Sequence, residues 1–391
     1  MKEFHPSPRV LLGPGPSDVD PRVLAAMAAP LLGHLDPEFL ALMDEIQGSL
    51  RAVFQTQNRL TIPISGTGSA GMETAFVNLV EPGESVVVCV NGVFGERMAD
   101  IVGRCGGRLS RVDAPWGGSL DPGQIREALH KLHPAILAVV HAETSTGVLT
   151  PLPVIQEVLK DFPETLLLVD CVTSLAGIPV GVDAHRVDMA YSGTQKCLSC
   201  PPGLSPITLS ARAVEKLRKR KAKVQSWYLD LSMVEKYWGE DRTYHHTAPI
   251  SMNYALREAL RLVEEEGMEA RFRRHRRNHL ALVTGVEAMG LEMLVRPEAR
   301  VWSLNTVRIP GGVADAQIRG QLLKDFGIEI GGGLGPLKGQ IWRVGLMGNS
   351  STRNKVTLFL TALEQALTDH QFKLEHGAAI AAADRVYKTE E

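Results

Sequence analysis

The chain has 391 residues, of which 44% are hydrophobic and 22% are charged. This length allows a large hydrophobic core and favours two domains. Lys and Arg number 42 against 44 Asp and Glu, which gives a formal net charge of −2 and argues against a nucleic acid or an anionic membrane as a partner.

Apolar segments rich in β-branched residues alternate with helical patterns over the first 250 residues. They lie at residues 59–65, 84–90, 135–143, 165–170, 187–193 and 205–210. Near-continuous apolar strands separated by helices predict an α/β fold with a mostly parallel sheet covered on both faces. Because ligands bind at the strand ends of such sheets, the residues that follow these strands are candidate site residues.

The pattern changes after about residue 250, where two helical patterns end at Gly267 and Gly290 and are followed by shorter elements. The predicted units are an N-terminal arm at 1–15, a large domain at 16–267 and a smaller α+β domain at 268–391. From about residue 375 the chain is rich in alanine and charged at its end, which predicts a poorly packed tail.

The turn after the first predicted strand, SGTGSAG at 65–71, contains G-x-G-x-x-G. A dinucleotide site would need an acid at the end of the next strand, but that strand ends in Asn91-Gly92. The more general interpretation is a phosphate held by backbone N–H groups at a helix N-terminus, with hydroxyl groups from Thr67 and Ser69. A tight turn without a ligand is the alternative.

Two charged residues follow later strands. Asp170 ends the buried segment LLLVD and could pair with a protonated ring nitrogen, or simply cap a helix. Lys196, in YSGTQKCLSCPPG, could form a Schiff base with a cofactor aldehyde if its amine is partly desolvated. The alternative for an isolated lysine is an exposed surface position.

Cys197 and Cys200 form a C-x-x-C next to this lysine. A zinc site needs four ligands, and the sequence offers no second pair at suitable spacing. Pro201-Pro202 argue against the helix start that a redox motif needs, so we expect structural thiols and no metal. Five cysteines, an odd number, and a start that does not resemble a signal peptide indicate a cytoplasmic protein.

Two later segments carry candidate binding groups. TYHHTAP at 243–249 offers hydroxyl groups that could reach a phosphate. Arg343, in the alternating segment QIWRVGLMG, could clamp a substrate carboxylate through two hydrogen bonds, or could face water on an edge strand. The basic runs at 216–223 and 271–279 lack the interleaved aromatic platforms of a nucleic-acid site, which favours solvated helix faces or subunit contacts.

The order of these parts resembles that of pyridoxal-phosphate enzymes of fold type I, the aspartate-aminotransferase fold. The chain is similar to the alanine–glyoxylate and serine–glyoxylate aminotransferases of class V over about residues 10–365. The similar segments, in order, are LLGPGPS, ISGTGSAGMETAFVN, ETSTGVL, LLLVDCV, YSGTQKCLSCPPG, YHHTAP, GGLG and WRVGLMG.

This resemblance implies roles by position. Lys196 would form the Schiff base, Asp170 would pair with the pyridine nitrogen, and Arg343 would bind the substrate carboxylate. Phe94 would stack on the cofactor ring, and Thr144 would lie near its ring oxygen. The residues implied for the phosphate are Thr67, Gly68, Ser69 and Gln195, with Tyr244 and Thr247 contributed by the partner subunit of a homodimer.

The implied reaction moves an amino group from alanine or serine to glyoxylate by a ping-pong mechanism, giving glycine. Ureidoglycine stays open as a donor, although relatives with that activity favour Gln where this chain has His34. A lyase such as a cysteine desulfurase is a further alternative. Those enzymes place His before the lysine and a reactive Cys late in the chain, whereas here Gln195 precedes Lys196 and no Cys follows Cys200.

Overall fold

The polypeptide alternates between strands and helices over most of its length. The computed structural model describes residues 1 and 3–389. The strands are β1 (Val10–Leu11), β2 (Leu60–Ser65), β3 (Ser85–Val90), β4 (Arg108–Asp113), β5 (Ile136–Val140), β6 (Ala142–Glu143), β7 (Val148–Leu149), β8 (Leu166–Asp170), β9 (Met189–Tyr191), β10 (Leu204–Leu209), β11 (Leu304–Arg308), β12 (Ile328–Glu329), β13 (Gly331–Gly332) and β14 (Ile341–Gly345).

The helices account for most of the remaining regular structure. They are α1 (Pro21–Met27), α2 (Pro37–Phe54), α3 (Gly68–Leu79), α4 (Val93–Arg104), α5 (Pro122–Leu132), α6 (Leu152–Leu159), α7 (Ala211–Arg218), α8 (Leu231–Trp238), α9 (Ile250–Glu266), α10 (Met268–Ala288), α11 (Asp315–Phe326), α12 (Arg353–Asp369) and α13 (Ala378–Thr389). Within the described residues, no helix combines the length and the apolar content that crossing a membrane requires.

The central sheet has the spatial order β2-β10-β9-β8-β5-β3-β4. Strands from β9 to β4 run parallel, whereas β10 runs antiparallel to both β2 and β9. The predicted mostly parallel sheet is therefore confirmed. Strand β4 did not emerge from the sequence, because it lies at an edge and most of its residues are exposed and polar.

Helices cover both faces of this sheet. Alternate residues of β3 enter different hydrophobic clusters, with Val86 and Val88 on one face and Val87 and Cys89 on the other. Burial on both faces explains the continuous apolar runs in the sequence. The register pairs Val140 with Asp170 and Asp170 with Tyr191, so the ends of β5, β8 and β9 lie side by side.

A separate hydrophobic core forms after Gly267, which lies between α9 and α10 at a positive φ of 79°. Helices α10, α12 and α13 contribute to it together with the antiparallel sheet β11-β14-β13. The N-terminal arm reaches this core, since β1 pairs with β12 and Leu12 is buried in the cluster. The domain boundaries themselves stay a prediction.

The prediction of a poorly packed tail is wrong. Helix α13 packs against α10 and α12, and its buried residues recur at helical spacing. The Tyr387 hydroxyl donates to Asn278 Oδ1 at 2.7 Å. Buried alanines of α13 allow the two helices to approach closely, since a Cβ on Gly285 of α10 would lie 3.1 Å from the Ala379 carbonyl oxygen. The alanine-rich composition therefore reflects tight packing. The last residues of the predicted tail, 390–391, lie outside the described residues.

Candidate active site

The glycine-rich turn joins β2 to α3. Thr67 is the N-cap residue, but among the described residues its hydroxyl makes no capping hydrogen bond, and Thr67 and Ser69 are both exposed. A Cβ on Gly68 would lie 3.3 Å from Val172 Cγ2, so this turn packs closely against the segment after β8. Hydroxyl groups and helix N–H groups are thus available to an anion.

Gln195 lies beside this turn. A Cβ on Gly193 would be 2.9 Å from Gln195 Oε1 and 3.4 Å from Gly68 Cα. Only Gly193 therefore lies between the Gln195 side chain and the glycine-rich turn. Gln195 Oε1 is buried without a hydrogen-bond partner among the described residues. Turning the amide over would present its N–H groups at the same place, which suits a phosphate oxygen.

Lys196 is buried, with its amine donating a hydrogen bond to the Pro14 carbonyl. Burial, together with the smaller effect of the Arg343 charge, lowers the pKa of this amine to about 8. A Cβ on Gly15 would lie 2.5 Å from Lys196 Nζ, and Gly15 has a positive φ of 109°. The N-terminal arm therefore forms one wall around the lysine, and only glycine fits there.

Asp170 is also buried, at the end of β8. Burial raises the pKa of its carboxyl group to about 7, whereas hydrogen bonds from Val172 N–H (2.8 Å) and Tyr191 O–H (2.9 Å) oppose that shift. The Lys196 charge also favours the ionised form. A bound cation near this carboxylate would stabilise its charge.

Arg343 lies on β14, the middle strand of its sheet, so the alternative of an edge-strand arginine facing water is excluded. Its Nε donates to the Gly332 carbonyl at 2.7 Å and its Nη1 donates to the Thr144 carbonyl at 3.2 Å. Burial lowers the pKa of its guanidinium to about 10, which leaves it protonated at neutral pH. The structure thus brings together Arg343, Thr144 and the lysine.

The remaining predicted residues have different surroundings. Phe94 is half-buried in the first turn of α4, and the guanidinium carbon of Arg97 lies 4.9 Å from its ring centroid. Tyr244 and Thr247 are exposed on this single chain, and the Tyr244 ring lies 5.0 Å from the ring of His34. Their roles toward a cofactor stay predictions.

The two cysteines beside the lysine are buried free thiols. Burial raises the pKa of Cys197 to about 11 and that of Cys200 to about 12, so both are protonated at neutral pH. A protonated, buried thiol is a poor nucleophile and a poor metal ligand. Lys196, and not the C-x-x-C, therefore stays the candidate reactive group of this segment.

Sequence reasoning missed a histidine relay that ends at the glycine-rich turn. The Trp227 carbonyl can only accept, so His245 Nε2 donates to it at 3.4 Å and His245 Nδ1 accepts from His246 Nδ1 at 2.8 Å. His246 Nε2 then accepts from the Ser65 hydroxyl at 2.7 Å. Burial lowers the pKa of His246 to about 4, which keeps the His246 ring neutral at neutral pH.

Tyr191 and Glu143 were also missed as site residues. Both are buried beside Asp170, and the register of β8 with β9 places Tyr191 next to that carboxylate. Aligning the ends of the predicted strands would have suggested Tyr191. Glu143 ends the apolar segment AILAVVHAE, and an acid at the end of a buried strand was a usable signal.

These features define the class of protein. A buried lysine of lowered pKa, a strand-end carboxylate and a helix N-terminus with exposed hydroxyl groups are what a pyridoxal-phosphate-dependent enzyme of fold type I requires, and the residues present fit that cofactor. The model of the class V aminotransferase family matches residues 10–353. The chain belongs to this family, and it is a pyridoxal-phosphate-dependent transaminase.

Three relatives illustrate the similarity. Alanine–glyoxylate aminotransferase of Callithrix jacchus is 43% identical over 94% of this chain and 89% of its own. The solved structure of alanine–glyoxylate aminotransferase from Nostoc sp. has a TM-score of 0.92 and 51% identity, covering 94% of this chain and 97% of that one. Ureidoglycine–glyoxylate aminotransferase from Bacillus subtilis has a TM-score of 0.96 and 42% identity, covering 99% and 100%. The predicted fold type, cofactor and reaction class are confirmed.

Proposed function

We propose that this transaminase moves the amino group of alanine or serine to glyoxylate, giving glycine and a 2-oxo acid. The observation that carries the proposal is the buried Arg343 guanidinium, which is held by the Gly332 and Thr144 carbonyls near enough to Lys196 for its charge to lower the lysine pKa. A carboxylate bound to Arg343 would lie beside the amine. Gly15 lies against the lysine side chain and closes one wall of the site.

The residues divide the work of the reaction. When bound, pyridoxal phosphate supplies an aldehyde that exchanges amino groups and a ring that accepts the electron pair of the α-carbon. The Arg343 guanidinium orients the substrate carboxylate. The Asp170 carboxylate, held by Tyr191, keeps a proton on the ring nitrogen. The Lys196 amine would take the proton from the donor α-carbon and deliver it to the C4′ atom of the cofactor.

A donor panel tests the substrate proposal. Alanine and serine should each bleach the absorption of the purified holoenzyme near about 420 nm, and glyoxylate should restore it. Glycine formed from glyoxylate is then quantified for each donor under matched conditions. If neither alanine nor serine bleaches the band, the proposed donors are wrong even though the transaminase class stands.

Ureidoglycine is the second candidate donor. The Bacillus subtilis enzyme that is named for ureidoglycine matches this fold at a TM-score of 0.96 over 99% of the chain. In the structure His34, at the position where such relatives favour Gln, packs against Tyr244. A rate of glycine formation that is highest with ureidoglycine in the same panel would favour this second function.

We also propose a homodimer in which Tyr244 and Thr247 complete the phosphate site of the partner subunit. Both are exposed in the single chain, and Trp227 and Tyr228 nearby in the structure expose large aromatic surfaces at 62% and 43%. A cytoplasmic location remains our proposal, supported by five free buried thiols that suit a reducing compartment.

Mixed dimers test the shared site. Neither the Lys196→Ala variant nor the Tyr244→Ala/Thr247→Ala variant should be active alone. After joint unfolding and refolding, random pairing should restore about one quarter of wild-type activity, because half the dimers then contain one intact site of two. Each variant refolded by itself is the control. If the mixture stays inactive while size measurements show mixed dimers, Tyr244 and Thr247 serve their own subunit.

A further inference from the structure

Glu143 is a fully buried acid to which no role has been given above. It is 0% exposed, and its carboxylate faces the start of helix α4. Glu143 Oε1 accepts from Ser145 N–H at 3.0 Å and from the Ser145 hydroxyl at 2.6 Å. Glu143 Oε2 accepts from the N–H groups of Phe94 at 3.1 Å and Gly95 at 3.4 Å. All four contacts are with donors.

Ser145 completes the same arrangement. Its hydroxyl donates to Glu143 and accepts from Val93 N–H at 2.9 Å, so two side chains engage the first three N–H groups of α4. A Cβ on Gly92 would lie 2.5 Å from Glu143 Cδ, so the helix start and the acid are in close contact. The first N–H groups of α4 are thus satisfied by the Glu143–Ser145 segment and not by water, and this segment fixes the position of the helix start.

The ionised form of Glu143 suits these contacts. Burial raises the pKa of this carboxyl group, and the hydrogen bonds from Ser145, Gly95 and Phe94 offset that rise only in part. A protonated carboxyl would need an acceptor for its own proton, and three of the four contacts are N–H groups, which can only donate. The N-terminus of α4 adds a favourable field for a negative charge.

We propose that Glu143 is a positioning residue that fixes Phe94 against the cofactor ring by holding the backbone N–H of Phe94. The proposal rests on the stacking role proposed for Phe94. Thr144, between Glu143 and Ser145 in sequence, is proposed to lie near the ring oxygen, so one short segment would set contacts to the face and to the edge of the ring. A small displacement of either contact weakens an oriented site.

Glu143→Gln tests this proposal on the holoenzyme. The amide keeps the size of the side chain but turns an N–H group toward one of the donors, so either the first turn of α4 or Ser145, which holds that turn through Val93 N–H, must shift. We expect the dissociation constant of pyridoxal phosphate to rise about tenfold and the visible circular dichroism of the bound cofactor to fall. Glu96→Gln is the matched control, because Glu96 lies in the same turn but pairs with Arg111 at the surface; it should bind the cofactor normally.

The Phe94→Leu background separates positioning from other effects. If Glu143 acts through the Phe94 ring, Glu143→Gln should change the dissociation constant less than twofold in that background. Removing the Glu143 charge would also lower the pKa of Asp170, because that charge raises it. This effect does not depend on the Phe94 ring and therefore persists in the Phe94→Leu background. An equal change in both backgrounds therefore overturns the proposal, as does wild-type binding by Glu143→Gln.

Two further results keep the test decisive. If Glu143→Gln does not fold, Ser145→Ala removes hydrogen bonds at the same helix start without adding a mismatched donor, and the same comparison with Phe94→Leu applies. If Phe94→Leu alone changes neither the dissociation constant nor the dichroism, Phe94 does not stack and the proposal fails with it. Failure of the proposed donors appears separately, as a holoenzyme with a normal cofactor signal that does not react with alanine or serine.

Discussion

Replacing Lys196 with alanine should abolish the absorption band near about 420 nm and lower kcat by about 10⁴-fold or more. The expected loss is large because Lys196 is proposed both to link to the cofactor and to move the proton of the α-carbon. Its burial beside Gly15 and Arg343 means that water or a surface lysine cannot easily replace it. Absorption spectra and steady-state rates with alanine and glyoxylate measure both effects.

Two controls separate chemistry from charge and folding. Lys196→Arg keeps a positive charge but cannot form the link, so it should lose the band as Lys196→Ala does. Lys216→Ala removes a lysine that pairs with Glu84 away from this site, and it should keep both the band and the rate. A Lys196→Ala protein that remains yellow and active would overturn the assignment of this lysine.

Much of the candidate site could be predicted from local sequence patterns. Asp170 and the glycine-rich turn were found because buried strands are apolar and their ends are easily recognised. Lys196 stood out because polar and small residues surround it in sequence, although the fold then buries it. The order of these parts, and not any single motif, indicated the cofactor.

The residues that were missed depend on contacts between distant segments. The Pro14 carbonyl meets the Lys196 amine across 182 positions, and His246 meets Ser65 across 181. The composition of helix α13, alanine with charge at its end, is also typical of a weakly packed tail, but small side chains on one face permit a close helix pair. Local patterns contain no information on these pairings, which tertiary packing decides.

Asp170→Asn should lower kcat by about 10²- to 10³-fold while the protein still binds pyridoxal phosphate. The amide cannot hold a proton on the ring nitrogen through a charge, so the electron pair of the α-carbon is less well stabilised. The amide oxygen can still accept from Val172 N–H, and the amide N–H can donate to the Tyr191 hydroxyl oxygen, which keeps the local geometry. Rates and spectra with alanine measure the change, and Asp161→Asn, which alters a surface ion pair with Arg126, is the control.

The same substitution should stabilise the protein when the cofactor is absent. Burial raises the pKa of Asp170 to about 7 from its ordinary 3.8, so the folded state binds a proton more tightly than the unfolded state. Stability of the wild-type protein therefore falls as pH rises from about 4 to 7, and at pH 7 or above the cost approaches about 4 kcal/mol. Asn carries no such cost.

Urea unfolding of the cofactor-free proteins should show an advantage for Asp170→Asn that is small at pH 4 and grows toward pH 7. An advantage that does not change with pH would mean that ionisation of the buried Asp170 does not destabilise the folded protein. Its carboxylate would then not need the cofactor to offset the cost of burial.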